Sequence, residues 1–264
     1  MDRLFLYIND KQKNEKINEG SEKMLIGYIQ EIMRYPVKSF QGESVQKTRV
    51  MNYGLYGDRS HAFLDETRPG KFLTITQFPE MIQYRPKFIG EESLEEYPAV
   101  EIIAPDGTCY QWGDKELIKE IERKSNRKVS LIRYTPDHVP FGAIEEEHIQ
   151  LVTDASVQKL EEIWGKPVDY RRFRPNLLLS LVHKAPFIEE TWFGRRLKIG
   201  QEVEIQLKRH CERCMIITVE PETGEKDPSL LRTVVQHRNN YFGVYASVIK
   251  TGEIHVGDEV HLLD

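Results

Sequence analysis

Val203-Glu204-Ile205-Gln206-Leu207-Lys208-Arg209-His210-Cys211-Glu212-Arg213-Cys214-Met215-Ile216-Ile217-Thr218-Val219 is the stretch whose reading decides the fold. Val203, Ile205 and Leu207 alternate with polar residues, the period of a half-buried strand. That strand delivers two cysteines three positions apart. Lys208, Arg209, His210 and Arg213 crowd them, and positive charge near a thiol favours its thiolate, the form that is both nucleophile and metal ligand. A thioredoxin-type C-x-x-C opens a helix after a strand. Here Met215 to Val219 are apolar and β-branched and predict a further strand. The expectation is therefore a β-rich chain. The pair itself stays open between soft-metal ligand, redox couple, sulfur carrier and two inert, part-buried cysteines. Three cysteines cannot build a four-thiolate zinc site. A three-Cys, one-His site would have to recruit Cys109.

Toward the C-terminus, Pro221-Glu222-Thr223-Gly224 is a turn. Asp227-Pro228 reads as an N-cap with proline at the first helical position, leading a short helix through Leu230, Leu231, Val234 and Val235. Tyr241 to Ile249 and Ile254 to Leu263 flank Thr251-Gly252 and predict a closing hairpin. Toward the N-terminus lies the apolar strand Leu177 to Val182. Three arginines, Arg171, Arg172 and Arg174, stand just before it. Charges at the end of a core strand need a carboxylate or a bound anion, and either reading holds here. Thr153 or Asp154 caps a helix carrying Val157, Leu160, Ile163 and Trp164, stopped by Gly165 and Pro167. Residues 135–150, with two prolines, a glycine and Glu145-Glu146-Glu147, predict an irregular connection between two halves, the acidic run being a solvated face.

In the first half, Leu25 to Met33 predicts a strand ended by Pro36. Lys38 and Ser39 offer a cation and a hydroxyl, suited to an anionic oxygen ligand or to an ordinary surface loop. Val45 to Val50 is another strand. Gly54 and Gly57 mark a tight turn. Arg59 is placed to fork onto a phosphate, or else to form a surface pair with Asp58 of little energetic weight. His61 to Asp65 and Lys71 to Thr76 are short β runs. Ala99 to Ile103 and Thr108 to Trp112 flank the hairpin turn Pro105-Asp106-Gly107. Asp114 caps a helix to about Ser125, and Val129 to Tyr134 is a strand. Residues 1–24 form a polar extension expected to be disordered. Met24 is an alternative translation start, which an intact mass beginning at Met1 would rule against.

Composition sets the bounds. The chain has 264 residues, 39% hydrophobic and 30% charged, and a net charge of −5. That is a globular balance, and it argues against a general nucleic-acid binder. No apolar run approaches the roughly 20 residues of a membrane span. Three cysteines fit a reducing compartment, so a cytoplasmic location is expected.

Taken together, these pieces resemble the MOSC-domain family, the C-terminal module of molybdenum cofactor sulfurases. The likeness is to the branch with an N-terminal β-barrel half, which includes the mitochondrial amidoxime-reducing component. In the first half the resemblance is carried by Arg34-Tyr35-Pro36-Val37-Lys38-Ser39, Gly54-Leu55 with Asp58-Arg59, and Lys71-Phe72-Leu73-Thr74 with Gln77. In the second half it is carried by Phe173-Arg174-Pro175-Asn176, Cys211-Glu212-Arg213-Cys214 and Gly252-Glu253-Ile254-His255-Val256-Gly257-Asp258. It implies a mainly β fold with a few short helices, in two intimately packed β-rich halves: an N-terminal β-barrel-like domain over 25–135 and the MOSC domain over 136–264. It further implies a molybdenum cofactor, a molybdenum-pyranopterin dithiolene, with Cys214, the second cysteine of the pair, as the metal's protein ligand and catalytic thiolate. Lys38, Ser39, Arg59, Arg174 and Asn176 fall where the family contacts the pterin and its phosphate, and Asp154 and Ser156 lie near another cofactor-facing loop of the family. The implied activity is that of an oxidoreductase reducing N-hydroxylated compounds, such as hydroxylamine-type nucleobases or amidoximes, by oxygen-atom transfer at thiolate-ligated molybdenum. Electrons would come from a separate flavodoxin-, ferredoxin- or flavin reductase-type partner. The alternative is a sulfur carrier, holding a persulfide on Cys214, or a module that binds and delivers the cofactor.

Overall fold

The computed structural model describes residues 23–144 and 146–263, so the expected extension lies outside the described residues except for its last two. The strands are β1 (Met24–Arg34), β2 (Glu43–Val45), β3 (Lys47–Met51), β4 (Gly54–Leu55), β5 (His61–Asp65), β6 (Arg85–Ile89), β7 (Ala99–Ile103), β8 (Cys109–Gln111), β9 (Val129–Arg133), β10 (Ile149–Thr153), β11 (Leu177–Leu181), β12 (Arg196–Ile199), β13 (Val203–Glu212), β14 (Tyr241–Lys250), β15 (Gly252–His255) and β16 (Glu259–Leu263). The helices are α1 (Lys115–Ser125), α2 (Phe141–Ile144), α3 (Asp154–Trp164) and α4 (Pro228–Arg238). The fold is mainly β, as expected.

One sheet runs β11-β10-β14-β13-β12-β16-β1-β2, and β1 also pairs with β11, which closes seven strands into a barrel. β1 is long enough to serve three neighbours, with Met24–Tyr28 against β16, Gly27–Ile32 against β11 and Ile32–Arg34 against β2. Closure removes the edges an open sheet would expose. Alternate residues fill the interior, among them Ile29, Leu151, Leu179, Ile205, Leu207, Val244 and Leu262. α3 and α4 lie outside the barrel, over Val152, Phe173, Ile217 and Phe242. Their caps form as the sequence predicts: Thr153 Oγ1 accepts from Ser156 N–H, and Asp227 accepts from Ser229 N–H ahead of Pro228. The first half builds its own core from the β6-β7-β8 meander, the β5–β9 ribbon and α1, around Phe40, Phe63, Met81, Tyr84, Ile102 and Leu117.

Three expectations are corrected. Met215 to Thr218 form a 3-10 helix, not a strand. The ladder between β13 and β14 ends at the pair Glu212–Tyr241. Asn239 and Asn240, both at positive φ, then turn the partner chain toward α4. Residues past Glu212 therefore have no strand to pair with, and buried Ile217 instead packs among Leu230, Val234 and Phe242. The closing hairpin does not form either. β15 pairs with β3 (Gly252 opposite Val50, His255 opposite Lys47) and β16 inserts between β12 and β1. The last strands thus tie the two halves together. Finally, Lys71 to Thr76 make only a bridge from Phe72 to Leu64. Thr74 curls into a turn in which its backbone N–H and Oγ1 both donate to Gln77 Oε1.

Candidate functional site

The backbone from Cys211 to Cys214 is extended, and its residues alternate buried, exposed, buried, exposed. An odd spacing on an extended chain sends two side chains to opposite faces. Cys211 faces inward at 1% exposure, and Arg213 Nη1 donates to its Sγ at 2.6 Å. Arg213 is buried as well; Nη2 donates to Phe173 O at 2.7 Å and the guanidinium lies over the Phe173 ring. Cys214 is exposed and lines a cavity of about 250 Å³. The two thiols therefore occupy different environments, and all three cysteines are free. Cys109 is exposed on β8 in the other half. Among the described residues no three His, Cys, Asp or Glu side chains gather as a metal-ligand group, so the three-Cys, one-His zinc site does not form.

Arg59, Arg174 and Arg213 line the same cavity, with Gln150, Phe173, Ile216, Asn240 and Tyr245 and the carboxylates Glu146 and Glu212. Arg59 and Arg174 stand over the ring of fully buried Tyr35, 4.4 and 4.1 Å from its centroid. Two cations on one aromatic ring are held by its electron-rich face. The Tyr35 hydroxyl donates to Pro175 O at 3.0 Å, and burial pushes its phenol well above the ordinary range. Asp58 is buried and accepts from Tyr35 N–H at 2.8 Å, Asn176 Nδ2 at 3.1 Å and Arg59 Nη1. The Asp58–Arg59 pair is thus an interior one, which corrects the surface pair allowed by the sequence. Burial turns a contact of little weight into one that the site is built around. Ser39, Arg59 and Arg174 all hold left-handed backbone, at φ 71°, 51° and 56°. Non-glycine residues rarely do so, and such positions cluster at functional sites.

Of the residues singled out from the sequence, Arg59, Arg174 and Cys214 come together in the cavity wall. Asn176 sits behind it: Nδ2 holds Asp58 and Oδ1 accepts from Gln150 N–H at 3.0 Å. Lys38 and Ser39 are buried but not in the wall; Lys38 Nζ donates to Ala143 O at 2.9 Å and lies over Phe72. Asp154 pairs with Lys184, and Ser156 donates to Glu189 Oε1 at 2.7 Å, both away from the cavity. The arginine cluster divides residue by residue. Arg171 is a structural ion pair, 2.6 Å from both Asp169 and Glu222. Arg172 donates to Ile217 O, and only Arg174 reaches the cavity. Glu146, expected on a solvated face, lines the rim and pairs with Arg209 at 2.6 Å.

Sequence reading missed Gln150, Asn240 and Tyr245. They come from two places along the chain, β10 and the turn into β14, and no local pattern joins these. Three side-chain atoms of the wall have no hydrogen-bond partner although buried: Gln150 Nε2, Arg213 Nε and Asn240 Oδ1. Orphaned buried polar atoms are costly. Here they point to a bound group that offers both acceptors and a donor.

Comparison with known proteins places this geometry in a lineage. Residues 26–129 match the MOSC N-terminal beta barrel domain and residues 136–261 match the MOSC domain. The mitochondrial amidoxime reducing component 2 of Rattus norvegicus is 35% identical over 288 residues, covering 89% of this chain and 83% of that protein. A molybdenum cofactor sulfurase of Caenorhabditis elegans is 36% identical over 109 residues, covering 40% of this chain and 14% of that one. The YuaD protein of Bacillus subtilis shares the fold, with a TM-score of 0.51 at 14% identity over 92% of this chain and 97% of that chain. The chain belongs to the MOSC-domain family, in the branch that carries an N-terminal β-barrel domain ahead of the MOSC domain.

Proposed function

We propose that the protein binds a molybdenum cofactor in the Cys214 cavity and reduces N-hydroxylated compounds. The observation that carries this reading is the wall itself: an exposed thiol lines one cavity with three buried arginines and with two residues that carry buried, orphaned N–H donors, Gln150 Nε2 and Arg213 Nε. That donor set fits an anionic, acceptor-rich group with a soft metal. Cys214 would supply the thiolate to the metal, and Arg59, Arg174 and Arg213 would hold the anionic portion. When bound, the molybdenum centre would supply the two electrons and the oxygen-atom acceptor that reductive N–O cleavage requires.

The chain's own residues orient and insulate that group. Tyr35 spaces Arg59 and Arg174. Asp58 fixes Arg59 and, through Asn176, the backbone of Gln150. Arg213 braces the loop between the two cysteines by holding Phe173 O and Cys211. The overall reaction consumes two electrons and two protons per N–OH group and yields the N–H compound and water. The electrons would come from a separate flavodoxin-, ferredoxin- or flavin reductase-type protein. The relatives' names support the cofactor and the reaction class. Among the described residues no helix is long and apolar enough to cross a membrane. The free cysteines support a reducing compartment, and we propose the cytoplasm.

The test is molybdenum content and oxidised-pterin fluorescence of protein from a host that makes the cofactor, for wild type and Cys214→Ala, followed by amidoxime reduction with a chemical electron donor. Near-stoichiometric molybdenum in wild type, loss of metal or activity in the variant, and turnover are expected. Protein without molybdenum, or with molybdenum and no turnover, overturns the reading. The exposure of Cys214 also suits a second reading, a persulfide sulfur carrier. Cyanide-labile sulfur on Cys214 without turnover would favour it.

A further inference from the structure

We propose that Glu212 sets a charge preference at the cavity mouth, favouring N-hydroxylated substrates with positive charge at or beside the reacting group over anionic ones. The inference rests on the reductase reading above. Glu212 and Cys214 are two residues apart on extended chain, so they share a face; Cys211 and Arg213 take the other. Both Glu212 and Cys214 are exposed and line the cavity. The cavity is polarised. Its arginines are buried, at 4 to 6% exposure, whereas its carboxylates stand at the rim. Of those carboxylates, Glu146 is matched by Arg209 at 2.6 Å. Glu212 has no side-chain hydrogen bond or ion pair among the described residues. A substrate approaching the Cys214 sulfur therefore passes the Glu212 carboxylate, which has no ion-pair partner among the described residues. The orphaned atoms Gln150 Nε2, Arg213 Nε and Asn240 Oδ1 are all buried, so the division into a cationic interior and an anionic mouth rests on the buried arginines and the exposed carboxylates.

Two residues of extended chain span about 6–7 Å. A unit charge at that distance in water changes the rate of approach of a unit-charged reagent about threefold, in opposite directions for cation and anion. The preference between the two should then change roughly tenfold when Glu212 is neutralised, and less as salt rises.

The experiment needs no cofactor. In a Cys109→Ser background, the second-order rates of Cys214 modification by a cationic and an anionic thiosulfonate reagent are measured at low salt, each relative to a free small thiol. The cation-to-anion preference is expected to fall about tenfold in Glu212→Gln, with unchanged thermal melting because the side chain is exposed. A second arm compares kcat/KM of the cofactor-loaded protein for a trimethylammonium-bearing and a carboxylate-bearing amidoxime. The same direction of change is expected there. A reagent preference and a substrate preference that both stay within twofold of wild type overturn the role of Glu212 and leave the reductase reading intact. A shifted reagent preference with no reduction of either substrate overturns the reductase reading and the substrate preference with it, and leaves only the charge effect at Cys214.

Discussion

Replacing Asp58 by alanine tests whether the site is organised around a buried ion pair. Asp58 is fully buried and accepts from Tyr35 N–H, Asn176 Nδ2 and Arg59 Nη1. Truncation takes the carboxylate from beside the Arg59 guanidinium, which is itself 4% exposed. Removing one partner of a buried pair costs about 3–5 kcal/mol. The Tyr35 N–H also loses its acceptor, at about 1–3 kcal/mol. These terms share one site and do not simply add, so about 4 kcal/mol is the expected loss. In a chain of this size each kcal/mol lowers Tm by roughly 2–4 °C, which predicts a fall of about 10 °C. The assay is thermal unfolding of Asp58→Ala, Arg59→Met and the double variant. The double variant should lose less than the two single losses combined, because no charge is then buried beside a missing partner. A surface pair would cost only about 0–1 kcal/mol. Melting of Asp58→Ala within about 2 °C of wild type would therefore refute the buried-pair account.

Other expectations follow from single contacts. Cys214→Ala should melt like wild type, since the side chain is exposed, while Cys211→Ala should lose about 1–3 kcal/mol because Arg213 Nη1 loses its acceptor in the core; equal melting of the two variants would contradict the assignment of the two thiols to different faces. Glu189 is buried against Thr153 and Ser156, and burial raises its carboxyl above the ordinary range. The folded protein then binds more protons than the unfolded chain as pH rises from about 4.5, so wild-type stability falls from there up to the raised value; Tm curves of wild type and Glu189→Gln that run parallel from pH 4 to 8 would count against this. Gly243 holds φ +77° within β14, and a Cβ there would meet Val152 Cγ1 at 2.9 Å and Leu151 O at 3.0 Å; Gly243→Ala should cost about 1–3 kcal/mol in a urea titration, and a neutral result would show that β14 can shift away from β10.

The parts of this protein legible in its sequence are those set by residues within one turn or one strand of each other. The caps at Thr153 and Asp227-Pro228, the Pro105-Asp106-Gly107 hairpin, the strand His61–Asp65 and the strand leading to Cys211 all form where local hydrogen bonding and alternation place them. The ordered co-occurrence of short pieces, among them Arg34–Ser39, Asp58-Arg59, Lys71–Thr74, Phe173–Asn176, Cys211–Cys214 and Gly252–Asp258, points to the family. Tertiary structure decided the rest, because choice of partner is non-local. Met215–Thr218 carries β-type residues yet forms a 3-10 helix, since β14 ends opposite Glu212 and leaves it nothing to pair with. Gly252–His255 leaves its neighbour β14 for β3, some 200 residues away, where its register buries Ile254 in the barrel core. Asp58–Arg59 looks like an exposed pair until Tyr35, Pro175 and Asn176 close over it. Which cysteine faces the cavity follows from extended-chain parity only once the chain is known to remain extended past the last ladder pair. Gln150, Asn240 and Tyr245 join the site because pairing of β10 with β14 brings two segments some 90 residues apart to one mouth, an arrangement that no window along the chain contains.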